Sequence, residues 1–325
     1  MSIQNVYSGD RVRIYLLWPF YFLSSRFRYL NGTLGQIARA TSNWWNVFLL
    51  YFGFAEKITL HYKSGLDFTA TKDELGKAIS LAEFENISDA DRNRIRLRML
   101  GKYATMRVGS KELKLEPEVA QAVAVELLSG EHSMINVKGR DVVDVGAYLD
   151  NTAIYYALSQ KAKHVYAFEP YPYIFNTAVR SVKANKLGKM ITTYNTAVSG
   201  VSGCAQLDKN LTSFGMVDAQ KSGKQKGGIK VISLDSVVRS LGIKHGALKV
   251  DCEGCEYSIF SHSSGKTLRS FDIIHVEYHY GYVDIVERLR AEGFDVTYTK
   301  PAYNFRGFGS RAMLNGDIIA TLHSG

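Results

Sequence analysis

The sequence predicts an α/β protein: a seven-stranded, mostly parallel sheet with helices on both faces, preceded by an N-terminal helical arm and a small β-rich subdomain. Three observations carry this. From residue 141 onward short apolar runs alternate with helical patterns, as parallel strands joined by right-handed crossovers require. The last two apolar runs lie close enough to pair as an antiparallel hairpin. The 325 residues, 46% hydrophobic and 22% charged, have the composition of a globular protein with a proper core. The expected division is an arm at 1–55, a small α+β subdomain at 56–135 and the α/β domain at 136–325.

Residues 1–55 hold 14 of the 39 aromatics, all three tryptophans (Trp18, Trp44, Trp45), and five arginines against one acid, Asp10. Such a segment is what an interfacial helix pair at a membrane surface would look like; the plainer reading, which takes precedence, is an arm packed on the main domain or on a second subunit. Its apolar runs, Ile14 to Leu23 and Trp44 to Phe54, fall short of the roughly 18–20 residues of a spanning helix. The opening stretch lacks an A-x-A-like cleavage site and reads as mature protein. Next, EKITLHYKSGLDFTATKDEL alternates around Lys63-Ser64-Gly65 and predicts a β-hairpin. Ser88 with Asp91 signals a helix start, whereas arginines at 92, 94, 96 and 98 alternate like a strand. A second hairpin turns at Gly109-Ser110, and a helix runs from Glu118 to Ser129, stopped by Gly130.

The α/β domain then reads strand by strand. RDVVDVG is a buried strand and turn, followed by a helix. KHVYAFEP is a strand ending on Glu169, and YPYIFNTAVRSVKANKLG a helix closed by Gly188. ITTYNTAVS is a third strand, Ser236 to Leu241 a short helix, and GALKVDCEG a fourth strand and turn. Phe271 to His279 is the fifth strand, Val283 to Glu292 a helix, FDVTYTK the sixth strand and GDIIATLHS the seventh.

The net charge of +9, from 40 basic and 31 acidic residues, is spread without any block of five like charges, so nucleic acid is not expected as a partner. Three cysteines (Cys204, Cys252, Cys255) give no paired disulfide framework and point to a reducing, cytoplasmic setting, with the arm at the inner membrane face if it binds lipid. Cys252 and Cys255 form a C-x-x-C without the further Cys or His ligands of a zinc site. They are expected to pack as small hydrophobes.

In an open parallel sheet the ligand binds at the carboxyl ends of the strands, where the strand order switches direction. Three segments meet there. Asp144, Gly146, Ala147 and Tyr148 form the turn after the first strand, where glycine lets backbone approach a ligand and the next helix, carrying Thr152, offers N–H groups to a carboxylate. Glu169, 25 residues after Asp144, is placed for a ribose diol. Asn195 and Ala197 lie where an adenine would sit. No G-x-G-x-x-G follows the first strand, which disfavours a dinucleotide oxidoreductase.

The runs VVDVGAYLDNTAIYYA, FEPYPYIFNTAVRSVKAN, NTAVSG, LKVDCEGCEYSIF and HVEYHYG resemble the FkbM family of S-adenosylmethionine-dependent methyltransferases over roughly residues 140–300. The resemblance implies a class I methyltransferase (Rossmann-like) fold and O-methylation of sugar or natural-product hydroxyls. It also implies Asp144, Gly146 and Glu169 as cofactor contacts, with Asp251, Glu253 and Glu277 on the acceptor side. The family reads DVGANIG where this chain has Tyr148 and Asp150. Asp150 is a favourable N-cap; otherwise it pairs with the cofactor's amino group or repels its carboxylate.

The expected activity is O-methylation of a glycan, glycolipid or other hydroxylated small molecule; the alternative is a cofactor-binding scaffold of the same fold. Asp251 and Glu253 are the candidate bases, because a protonated hydroxyl is a poor nucleophile. Glu277 and His279 join them from the fifth strand, where His275, Glu277 and His279 share a face. A histidine can serve as base, and an H-x-E-x-H triple can equally bind a metal or make buried hydrogen bonds; no metal is assigned. His275, deepest in the strand, is expected to be structural, and Glu256 to serve the helix dipole. The lysine-rich loop Asp218 to Lys230 reads as a solvated loop or as a lid over an anionic acceptor, and FRGFGSR at 305–311 as an edge of the same pocket.

Overall fold

The computed structural model describes residues 34–71, 75–100, 103–205, 219–220, 228–304 and 313–322. The first 33 residues of the expected arm, most of the lysine-rich loop and the segment 305–311 lie outside them. The described residues divide into two compact units, one before Gly130 and one from Gly130 onward.

In the first unit, residues 34–40 are helical and the helix Asn46–Tyr51 follows. Strands β1 (Lys57–His61) and β2 (Asp67–Thr71) form the expected hairpin. Ile37, Val47 and Leu50 share a core with Ile58, Leu60 and Leu81, so the described end of the aromatic segment is packed into the fold that follows it. The conflict around Ser88 resolves in favour of the cap. Ser88 accepts from Asp91 N at 3.1 Å and starts the helix Asp89–Arg94, leaving only Arg98 for a strand. The Ser88 oxygen satisfies an otherwise orphaned N–H and starts the helix, and the apolar residues of the alternation, Ile95 and Leu97, are buried just after it. Strands β3 (Arg98–Leu100), β4 (Tyr103–Val108) and β5 (Lys111–Leu115) make an antiparallel sheet, and the helix Pro117–Ser129 ends at Gly130, in the left-handed region at φ 69°.

The second unit is built on β6 (Asp141–Val145), β7 (His164–Phe168), β8 (Ile191–Tyr194), β9 (Ala197–Ser199), β10 (Gly203–Ala205), β11 (Ala219–Gln220), β12 (Ile229–Ser233), β13 (Gly246–Val250), β14 (Phe271–Tyr278), β15 (Phe294–Tyr298), β16 (Ala302–Asn304) and β17 (Met313–Leu322). The main sheet runs β8-β7-β6-β13-β14-β17-β15. Its first five strands are parallel, and β17 lies antiparallel between β14 and β15, with β16 added beside it. Every residue of β13 is buried, as in a strand covered on both faces. Val143, Leu248 and Ile274 on the strands pack with Ile259, Phe260 and Leu289 from helices, each large apolar side chain contributing roughly 1.5–3 kcal/mol when fully buried.

One expected strand is divided. ITTYNTAVS breaks at Asn195, so β8 stays in the main sheet while β9 joins a separate four-stranded sheet, β11-β10-β12-β9. The Asn195 amide donates to the carbonyls of Glu169 (3.0 Å) and Pro170 (2.9 Å), and Thr196 N bonds Tyr194 O, which turns the chain out of the ladder. Order along the main sheet reverses between β6 and β13, so the turns after these strands flank the crevice.

Candidate active site

A cavity opens at that reversal. Gly146, Tyr148, Asn151 and Thr152 line it from the turn and helix after β6; Phe168 and Glu169 from the end of β7; Ala197 and Val198 from β9; and Lys249, Asp251, Cys252 and Glu253 from the end of β13. Gly146, at φ +80° in the turn after β6, packs tightly against the end of β13: a Cβ there would stand 1.8 Å from the Asp251 carbonyl oxygen. Only glycine supplies both that conformation and that clearance.

On one side of the cavity Glu169, 4% exposed, accepts from Tyr148 N at 3.0 Å and Tyr171 N at 2.8 Å. Burial pushes its carboxyl up to about 8, against the opposing pull of those two N–H donors. Asp144 lies buried behind the cavity, 3.4 Å from the Lys249 ammonium, and Ala147 is buried with its N–H on Phe168 O. Of the expected cofactor contacts, then, Gly146, Tyr148, Thr152, Glu169 and Ala197 face the cavity. Asp144 and Ala147 support it from behind, and the Asn195 side chain braces the backbone of 169–170.

Asp150 departs from expectation. It occupies the N-cap position of the helix Asn151–Leu158, yet its left-handed backbone (φ 57°) turns the side chain away and it makes no cap hydrogen bond. The buried carboxylate accepts instead from the Thr193 hydroxyl at 2.5 Å, and burial, with Asp144 nearby, raises its pKa to about 7. It is not among the residues lining the cavity, so the repulsion that favoured a scaffold reading has no geometry behind it.

Asp150, Glu169 and His279 all titrate higher in the folded protein than unfolded, so each contributes stability at low pH that is lost as pH rises: through about 7, 8 and 9 in turn. The unfolding midpoint is expected to fall from pH 6 to pH 9. Asp150→Asn, which keeps an acceptor for Thr193, is expected to raise stability at pH 8 by about 1–3 kcal/mol. Equal stability of the two proteins at pH 8 in denaturant titrations would contradict the buried charge.

On the other side of the cavity lies a cluster of acids about one histidine. His279, 1% exposed, follows the end of β14, where Leu314 N holds its carbonyl at 2.9 Å. Its Nδ1 donates to Glu256 Oε1 at 2.9 Å, and its Nε2 faces Glu253 (3.4 Å), Asp251 (3.8 Å) and Glu277 (3.8 Å). Burial alone would depress the imidazole. The hydrogen bond and charge of Glu256, with the charges of Asp251 and Glu253, outweigh it and lift the pKa to about 9. At neutral pH His279 is therefore a cation and not a free base. His275, as expected for a structural residue, is buried and hydrogen-bonded with Asp317 at 3.0 Å.

One residue of the site, Lys249, was not singled out from sequence, and Glu256 was given another role. Lys249 is buried in mid-strand and donates to Gly146 O at 3.1 Å, tying the two central turns together; a lysine inside the apolar run GALKV was the available signal. Glu256, expected to serve the helix dipole, is fully buried and accepts from Cys252 N at 3.0 Å as well as from His279. Cys252 and Cys255 pack against the core as expected but are also disulfide-bonded, which corrects the reading of them as simple hydrophobes. The bond closes a loop around Glu253 and Gly254, both at positive φ. Contact of the two sulfurs needs only the tight turn that these φ values create, and composition does not reveal it.

The sheet order, with its single antiparallel strand and a cavity at the switch point, defines a class I methyltransferase fold. Residues 144–296 match the family described as the methyltransferase FkbM domain. That region is similar to an FkbM methyltransferase domain, and the match marks the protein as a methyltransferase. Solved structures with similar folds include the N-terminal domain of human METTL16 in complex with S-adenosylhomocysteine (15% identity, 82% of this chain and 89% of that one, TM-score 0.37). Others are Aeropyrum pernix fibrillarin with natively bound S-adenosyl-L-methionine (13%, 82% and 94%, 0.37) and M. capricolum TrmK with S-adenosylhomocysteine (12%, 60% and 67%, 0.37). No curated protein sequence matches this one. No described helix is long and apolar enough to cross a membrane.

Proposed function

We propose that the protein is an S-adenosylmethionine-dependent O-methyltransferase acting on a hydroxyl of a glycan, glycolipid or other hydroxylated metabolite. The observation that carries this is the cavity itself, with buried Glu169 on one side and the Asp251–Glu253 pair on the other. The residues fit the cofactor. Glu169 retains acceptor capacity for a ribose diol beyond its two backbone bonds. Gly146 leaves its turn without a side chain, and Phe168 and Val198 supply apolar surface for an adenine. When bound, S-adenosylmethionine supplies a methyl group on a positively charged sulfur. The chain's own part is to align the acceptor oxygen with that methyl and to take the hydroxyl proton on Asp251 or Glu253. Lys249, 3.4 Å from Asp251 Oδ2, holds that carboxylate toward the cavity.

The nature of the acceptor draws on the first unit. Rings of Trp44, Phe48, Phe52 and Phe54 touch in series at 6.0–6.5 Å, with Phe54 81% exposed, a surface suited to an acceptor presented on lipid. The test has two parts. In calorimetry, S-adenosylmethionine and S-adenosylhomocysteine are expected to bind and NAD not to, with Glu169→Ala weakening cofactor binding at least tenfold; binding of none of the three would refute the cofactor. Transfer of labelled methyl to oligosaccharides and glycolipids, free and in liposomes, then identifies the acceptor. Equal transfer to liposomes by wild type and Trp45→Ala/Phe54→Ala would remove the membrane element.

A further inference from the structure

The acid cluster around His279 has the construction of a cation site. One ligand atom from each of Asp251, Glu277 and His279 lies within 4.8 Å of the others, close enough to share one ion. The independent observation is the imidazole. His279 is 1% exposed, yet its Nε2 carries no hydrogen bond while pointing at three carboxylates. A buried polar atom without a hydrogen bond is rare, because it gives up hydration without replacing it. The other ring nitrogen is fixed: Nδ1 donates to the fully buried Glu256, which Cys252 N also holds. A carboxylate behind a histidine that presents its opposite nitrogen is the arrangement that orients metal-binding histidines.

We propose that Asp251, Glu277 and His279 bind one divalent cation of the Mn²⁺ or Mg²⁺ class beside the cavity, with Glu256 as the positioning residue for His279. The donor set selects the class. Two carboxylates and one imidazole suit a hard to borderline ion, and no thiolate is on offer because Cys252 and Cys255 are bonded to each other. Charge is compatible with this: the carboxylates of Asp251, Glu253 and Glu277 converge on His279 Nε2, Lys249 stands beside only the Oδ2 atom of Asp251, and like charges held together favour a cation among them. The ion takes the place of the proton on Nε2 and supplies the positive charge that the imidazolium otherwise provides.

This deepens the methyltransferase reading and rests on it for its chemical purpose. Asp251 lines the cavity, so the cation stands where it can coordinate the acceptor's oxygen and weaken the O–H bond. Glu253, outside the ligand set, then takes the proton. The oxygen–methyl bond forms as the sulfur–methyl bond breaks, and the sulfonium becomes a neutral thioether. The acceptor class narrows to molecules whose hydroxyl can reach a bound cation, with vicinal diols the best fit because two oxygens can share the ion.

The test measures the cation without any cofactor. Mn²⁺ is titrated into the full-length protein and followed by electron paramagnetic resonance, with Mg²⁺, Ca²⁺ and Zn²⁺ as competitors. One site per chain is expected. His279→Gln and the more exposed Glu277→Gln should each weaken binding at least tenfold, while Glu287→Gln, on the exposed face of the helix Val283–Ala291, should leave it unchanged. Circular dichroism confirms that each variant is folded. Wild type that binds no Mn²⁺, or Glu277→Gln that binds as wild type does, overturns the proposal. Cofactor calorimetry separates the two readings: cofactor binding without Mn²⁺ binding removes the cation alone, whereas Mn²⁺ binding without cofactor binding removes the methyltransferase chemistry and leaves the site.

Discussion

Gly146→Ala is expected to destabilise the second unit by about 3–5 kcal/mol, at the extreme of single substitutions. Two costs add. An alanine at φ +80° sits in the left-handed region, a penalty of about 1 kcal/mol. Its Cβ would then meet the Asp251 carbonyl oxygen at 1.8 Å and carbon at 2.8 Å. Those atoms belong to backbone, and Asp251 N is itself bonded to Val145 O at 3.0 Å. Relief therefore requires β6 and β13 to part at the centre of the sheet. The comparison is Gly242→Ala, which has a similar φ (+65°) but nothing within 4 Å of the added carbon, and should show the backbone cost alone. Denaturant midpoints of the two variants decide the matter. If Gly146→Ala costs no more than Gly242→Ala, the two turns do not approach as described.

The largest kinetic effect is expected at Asp251 and Glu253. Asp251→Asn and Glu253→Gln should each lower kcat for methyl transfer by about 10²–10⁴, the range for removing a positioned general base. Cofactor affinity should change little, since Glu169 and the turn after β6 are untouched. Both side chains are partly exposed (27% and 14%), so the variants are expected to fold. The two should also differ. Asp251→Asn removes a cation ligand together with a proton acceptor, whereas Glu253→Gln leaves the ligand set intact and should retain Mn²⁺ binding. Single-turnover rates and calorimetry on the same preparations separate chemistry from binding. Full activity in both variants would end the carboxylate-base mechanism.

Much of the second unit was legible because its signals are local. A buried strand, a glycine turn and a helix of 3.6 periodicity each declare themselves within about ten residues. Their alternation restricts the topology to a parallel sheet, which in turn assigns the carboxyl ends of the strands as the binding edge. Gly146, Glu169, Asp251 and Glu253 follow from that logic. Asn195 shows where it stops: apolar residues resume past it at Ala197 and Val198, and only a side-chain amide reaching two carbonyls 25 and 26 residues away ends the strand. In the first unit, Ser88 and the alternating arginines were both local signals in conflict, and the capping oxygen prevailed.

The order of elements, the parallel sheet and the positions of the acids at strand ends were determined by the sequence alone, since each depends on neighbours along the chain. What the tertiary structure decided is which buried polar groups meet. Asp150 finds Thr193 across 43 residues, His279 finds Glu256 across 23, and Lys249 reaches Gly146 across 103. None of these pairs has a spacing rule, because crossover helices of arbitrary length separate the partners. Each is enforced by the cost of leaving a charge or an N–H unsatisfied in the interior. Those pairings turned a presumed cap into a buried acid, a presumed base into a cation and a presumed dipole partner into the support of a metal ligand.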